Sequence, residues 1–119
     1  MKLHVAGHDA FAYSGGRPFV AGQPSVVFVH GAANDHSVWA LQSRYFAHHG
    51  WNVLALDLPG HGQSEGPLRA SIGELASWVA AVLDALAVRD AYVIGHSMGS
   101  LAALELAATR PELVARLAL

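Results

Sequence analysis

One run of residues constrains this chain more than any other: Tyr92-Val93-Ile94-Gly95-His96-Ser97-Met98-Gly99-Ser100. Ala91 to Ile94 is continuously apolar, the pattern of a strand buried on both faces. A tight Gly-x-Ser-x-Gly turn follows, and then a helical pattern. Gly95 and Gly99 flank Ser97 without side chains, so two backbone segments can approach closely there. A serine held at such a corner is expected to be strained, with its hydroxyl pointing away from the sheet. The N–H groups at the start of the next helix point back at the same spot. This is what a nucleophilic serine needs: an exposed hydroxyl with donors aimed at a developing oxyanion. His96 is expected to face away from that hydroxyl, as a packed or hydrogen-bonded residue.

The rest of the chain supplies further strands and helices. Residues 2 to 6 alternate polar and apolar, as a half-buried strand does. Gly7-His8-Asp9 reads as a turn, and Asp9 to Tyr13 as a second strand returning antiparallel. Val26 to Val29 and Val53 to Leu56 are short, wholly apolar runs, hence central strands. Between them, Asn34, Asp35 or Ser37 caps a helix over about Val38 to His48, with Val38, Leu41 and Tyr45 on one face and Gly50 ending it. Ser71-Ile72-Gly73-Glu74 is a capping box. The helix it opens has apolar residues at Ile72, Leu75, Ala76, Val79, Val82, Leu83 and Leu86, so one face lies on a sheet. Arg69 and Glu74 read as its solvated start, and Trp51 and Trp78 as packing or surface aromatics. Met98 to Thr109 is apolar nearly all round and is expected to be a buried helix stopped by Pro111. Val114 to Leu119 begins one more strand. Alternating strands and helices of this kind make a doubly wound, mostly parallel α/β sheet.

Three motifs, in order and on the expected elements, resemble the N-terminal half of an α/β-hydrolase-fold serine hydrolase of the esterase or lipase kind. They are Val27-Phe28-Val29-His30-Gly31, Asp57-Leu58-Pro59-Gly60-His61-Gly62-Gln63-Ser64, and Gly95 to Gly99. The resemblance runs from about residue 3 to Leu119. It implies Ser97 as nucleophile and the backbone N–H groups of Ala32 and Met98 as oxyanion donors. His30, Gly31, Gly95, His96 and Gly99 would shape the site, His30 through hydrogen bonding. Trp39 either borders the site or packs the first helix. Asp57 and His61 lie four apart in a motif that the resemblance makes structural. Serine at the elbow, rather than aspartate, argues against the epoxide hydrolase and haloalkane dehalogenase branches. Ser100 stands where many relatives carry a second glycine, a departure expected to disturb little. The implied activity is hydrolysis of a small-molecule carboxylic ester through an acyl-enzyme. Thioesterase, C–C hydrolase and acyltransferase activities of the same fold are the alternatives, as is a non-catalytic binding module.

The resemblance also implies an acid and a histidine after the nucleophile. After Ser97 this chain has only Glu105 and Glu112 as acids, and no histidine. The expectation is therefore that residues 1–119 are the N-terminal portion of one α/β-hydrolase domain. The complete domain would run to ~200–250 residues, and the fragment alone would be inactive. Its last strand would leave an apolar edge, to be met by a missing C-terminal segment or by self-association. Composition narrows the remaining classes. With 53% hydrophobic and 13% charged residues the chain is globular. A net charge of −2 without a basic run makes nucleic acid an unexpected partner. The absence of cysteine excludes disulfides and thiolate metal sites, and leaves the cytoplasm as the default location. No signal peptide or membrane-spanning run is read. Eight histidines show no ligand spacing, so no metal or other cofactor is expected.

Overall fold

The computed structural model describes residues 1–119. Lys2–Val5 (β1) and His8–Tyr13 (β2) form an antiparallel hairpin. Its two-residue turn is Ala6-Gly7, both with positive φ (51° and 83°), one residue earlier than the sequence suggests. Positive φ at both turn positions matches the right-handed twist of the flanking strands. Ser25–Val29 (β3), Asn52–Asp57 (β4), Ala91–Gly95 (β5) and Val114–Ala118 (β6) are parallel to one another where they pair, and β2 joins them antiparallel along β4. The single six-stranded sheet has the order β1-β2-β4-β3-β5-β6. The expected mostly parallel α/β architecture is what forms.

Every residue of β3 and β4 is buried. Alternate side chains go to opposite faces, and the two faces carry different covers. Val27, Val29, Leu54, Leu56 and Val93 pack under Ile72–Ala85 (α2) and Met98–Thr109 (α3), in a core cluster of 22 buried residues. Val26, Phe28, Val53 and Ala55 face Ala40–Ala47 (α1), where only Ala47 completes a cluster of five. Phe28 meets Trp39 and Phe46 at ring-centroid distances of 5.1 and 5.9 Å.

The first helix differs from its sequence reading. Asp35 caps it, but the first turn, His36–Trp39, is a 3-10 turn, and α1 proper starts at Ala40. Its apolar face is turned outward: Val38, Leu41 and Tyr45 are exposed, and Ser43 and Ala47 are buried instead. Helix α3 is likewise covered on one side only, with Gly99, Ala102, Ala103 and Leu106 buried and Leu101 and Leu104 exposed. The capping box is present as read: the Glu74 N–H donates to Ser71 Oγ at 3.1 Å. Trp78 is buried, and Trp51 packs between Phe46 and Tyr92. Strand β6 pairs with β5 alone, and its other edge is open. No helix is long and apolar enough to cross a membrane.

The chain leaves β3 toward β4 and later returns, across β3, to β5. Strand order therefore reverses at β3, and in open α/β sheets the crevice at the carboxyl ends of such strands is where ligands bind. His30 follows β3, Asp57 ends β4 and Ser97 follows β5, so all three motifs meet at that crevice.

Candidate active site

The elbow after β5 is built by backbone contact. A Cβ on Gly95 would lie 2.5 Å from the Gly99 carbonyl oxygen, and one on Gly99 would lie 2.6 Å from the His30 carbonyl oxygen. No side chain fits at either position, which is why the motif needs glycine twice. Ser97 between them has φ 57° and ψ −121°, a conformation that strains any residue but glycine. Its hydroxyl is exposed and makes no hydrogen bond within the chain. Ser100 Oγ donates to the Gly95 carbonyl at 2.8 Å, so the serine in place of a second glycine ties the elbow shut.

The loop after β3 passes beside this serine. An added Cβ on buried Gly31 would come within 3.2 Å of Ser97 Cβ. The Ala33 N–H donates to His61 Nε2 (3.2 Å) and the Asn34 N–H to the Gly31 carbonyl (3.2 Å). The N–H groups of Ala32 and Met98 donate to nothing in the chain, and both residues line one cavity of about 420 Å³. Ala32 is exposed and Met98 half-buried at the helix start, so both N–H groups are free to meet a ligand.

His30 is fully buried. Its Nδ1–H donates to the Gly31 carbonyl (2.7 Å), and Nε2 accepts from the Leu58 N–H (3.0 Å), which couples the ends of β3 and β4. Burial pushes the ring below the usual histidine pKa, with the Gly31 bond opposing and neighbouring His61 adding to the shift. This neutral form is the one both bonds require. His61 Nδ1–H donates to the Pro59 carbonyl at 3.0 Å. Asp57 and His61 are not hydrogen-bonded to each other.

The true partner of Asp57 was not legible in the sequence. Its wholly buried carboxylate accepts from the His36 N–H (2.7 Å), His36 Nδ1–H (2.9 Å) and the Gln63 N–H (2.8 Å). Ser64 Oγ donates to the Asp57 carbonyl (2.6 Å) and accepts from the Phe11 N–H (2.9 Å), which staples the loop to β2. Asp35, His36 and Asp57 bring one ligand atom each within 4.8 Å of one another. Both Asp57 oxygens already hold N–H donors, so the group reads as a hydrogen-bond network, not a metal centre.

Two expectations need correction. The ring of His96 is neither packed nor hydrogen-bonded; the residue is exposed and borders a small cavity with Val38 and Trp39. Its place on the open side of the strand end explains this. Trp39 does both things weighed for it, since it packs at a tilt against Phe28 and borders that cavity. Arg69 is not a solvated helix start. It is half-buried on the wall of the 420 Å³ cavity, with its Nε buried and unpartnered. No local signal separates it from the polar residues around it.

Comparison with known proteins bears on the family and the fold. Residues 24–119 match the family described as the alpha/beta hydrolase fold. The (E)-2-((N-methylformamido)methylene)succinate hydrolase of Acinetobacter baylyi is 37% identical over 98 residues, which cover 82% of this chain and 36% of that protein. The crystal structure of a bacterial membrane phospholipase A superposes with a TM-score of 0.87 at 33% identity, over 98% of this chain and 37% of that one. The enol-lactonase of Burkholderia xenovorans LB400 gives a TM-score of 0.87 at 29% identity, over 98% of this chain and 45% of its own. The chain thus spans between 36% and 45% of the length of these relatives.

Proposed function

This chain belongs to the alpha/beta hydrolase fold family, and from that premise we propose that it carries the nucleophile and oxyanion donors of a hydrolase acting on carboxylic esters. The observation that carries the reading is the conjunction at the elbow. A strained, exposed Ser97 with an unbonded hydroxyl is followed directly by Met98, which with Ala32 lines one cavity, and the N–H groups of both are unused within the chain.

In this reading Ser97 Oγ attacks the ester carbonyl. The carbonyl oxygen takes up the negative charge and accepts from the Ala32 and Met98 N–H groups. Collapse expels the alcohol and leaves an acyl-enzyme, which water then hydrolyses. No imidazole is hydrogen-bonded to the Ser97 hydroxyl here. The reading assigns the serine's proton to a histidine in the part of the fold that the relatives have and these residues do not span. His30 is unsuited to that role because both ring nitrogens are engaged. A serine also suits acyl transfer better than epoxide opening, because a serine ether, unlike an aspartyl ester, is not readily hydrolysed. The relatives named above support hydrolysis in general.

A fluorophosphonate probe tests the reading, because phosphonylation needs an activated serine. The complete protein should label at one site, and Ser97→Ala should abolish the label. A protein that does not label, or whose Ser97→Ala variant labels equally, sinks the proposal.

A further inference from the structure

The cavity lined by Ala32 and Met98 has one charged residue on its wall, Arg69. Its remaining lining is apolar or neutral, with Leu68 and Leu75 along one side and His61 as the other polar side chain. Arg69 takes part in no ion pair. Arg89 and Arg110, by contrast, are both bound to Asp84, and Arg110 also to Glu112. Glu74 and Glu105 line the neighbouring cavity that Arg69 also borders, yet neither pairs with it. The Glu74 carboxylate is instead occupied by the Ala70 N–H at 2.7 Å. A half-buried arginine whose Nε is buried and unpartnered is costly to keep unless something anionic meets it.

We propose that Arg69 sets the specificity of this site by receiving a carboxylate on the substrate, so that the preferred esters carry an anionic acyl group. The inference rests on the hydrolase reading above and deepens it. The Ala32 and Met98 N–H groups take the carbonyl oxygen. Leu68 and Leu75 flank a short methylene spacer. The planar fork of Arg69 takes the remote carboxylate, a geometry that lysine does not reproduce. No acidic side chain lines the cavity to repel it.

The test compares two esters of equal shape on the complete protein. Mono-p-nitrophenyl succinate carries the carboxylate, and p-nitrophenyl 4-methylpentanoate replaces it by an uncharged isopropyl group. The anionic ester should be preferred at least tenfold in kcat/KM. Arg69→Gln should lower that preference about ten- to hundredfold, chiefly through KM, and Arg69→Lys should keep part of it. A wild-type ratio near one, or a ratio that Arg69→Gln leaves unchanged, overturns the proposal. A binding arm separates this failure from failure of the hydrolase reading. Monomethyl succinate is titrated calorimetrically into the Ser97→Ala protein with and without Arg69→Gln. Binding that weakens about tenfold on loss of Arg69 supports the assignment; no binding, or binding indifferent to Arg69, overturns it. If neither ester is turned over and Ser97 does not label, the hydrolase reading falls, and the calorimetry still decides Arg69.

Discussion

The turns after β4 and after β5 lie at the same edge of the sheet and treat their polar atoms in opposite ways. After β4, the Asp57 carboxylate holds three N–H donors and Ser64 both donates and accepts. After β5, the Ser97 hydroxyl and the Met98 N–H hold nothing, and the backbone at Ser97 is strained. Satisfied buried polar groups fix a structure, whereas polar groups left open at a crevice await a ligand. The first turn is therefore scaffold, and the second is the place a substrate would complete. Both turns flank the end of β3, the strand between β4 and β5. His30 is the link, joined to Leu58 on one side and followed by the loop beside Ser97 on the other.

The largest expected effect lies in the scaffold turn. Asp57→Ala strips partners from His36 N–H, His36 Nδ1–H and Gln63 N–H in one step. The side chain is fully buried, so unfolding free energy should fall by about 3–4 kcal/mol. Urea denaturation measures it. A loss below about 1 kcal/mol would mean the network does not hold the edge, and the comparison would break there.

The elbow should respond with the opposite sign. Ser97→Gly removes the steric conflict at φ 57° and ψ −121° and deletes only a hydroxyl that bonds to nothing. Strain relief of about 1–3 kcal/mol, less glycine's greater unfolded-state entropy, predicts a gain of about 1 kcal/mol together with loss of phosphonylation. A destabilised Ser97→Gly protein would show that the serine side chain contributes to the fold, and the division between scaffold and site would lose its basis.

This division also explains what sequence could reveal. The strands, α2 and α3 were legible because burial on two faces and helical spacing are local patterns. The elbow was legible because close backbone contact demands glycine at Gly95 and Gly99, whatever surrounds them. The outward turn of Val38, Leu41 and Tyr45 was not, because periodicity marks an apolar face but not what covers it. The His36–Asp57 pair joins a helix start to the end of a strand 21 residues on, and nothing near His36 sets it apart from the other seven histidines. In the sequence Arg69 looks solvated for a related reason. Its significance comes from an absence of partners, and that exists only once the chain is folded.

The smallest effect tests the link between the two turns. Burial holds the folded pKa of His30 below its unfolded value of about 6.5. Protonating Nε2 would set an N–H against the Leu58 N–H, so the folded state resists the proton that the unfolded state accepts. The stability tied to neutral His30 is therefore complete above pH of about 6.5 and drains away as pH falls below it. Wild-type unfolding free energy should drop more steeply between pH 7 and pH 5 than that of His30→Asn, which cannot titrate. Nitrogen NMR should show His30 taking up its proton at a lower pH than a free histidine. Equal slopes in the two proteins, or a His30 that titrates as a free histidine does, would uncouple the turns. The strain at Ser97 would then have to be carried by the glycine contacts of the elbow alone.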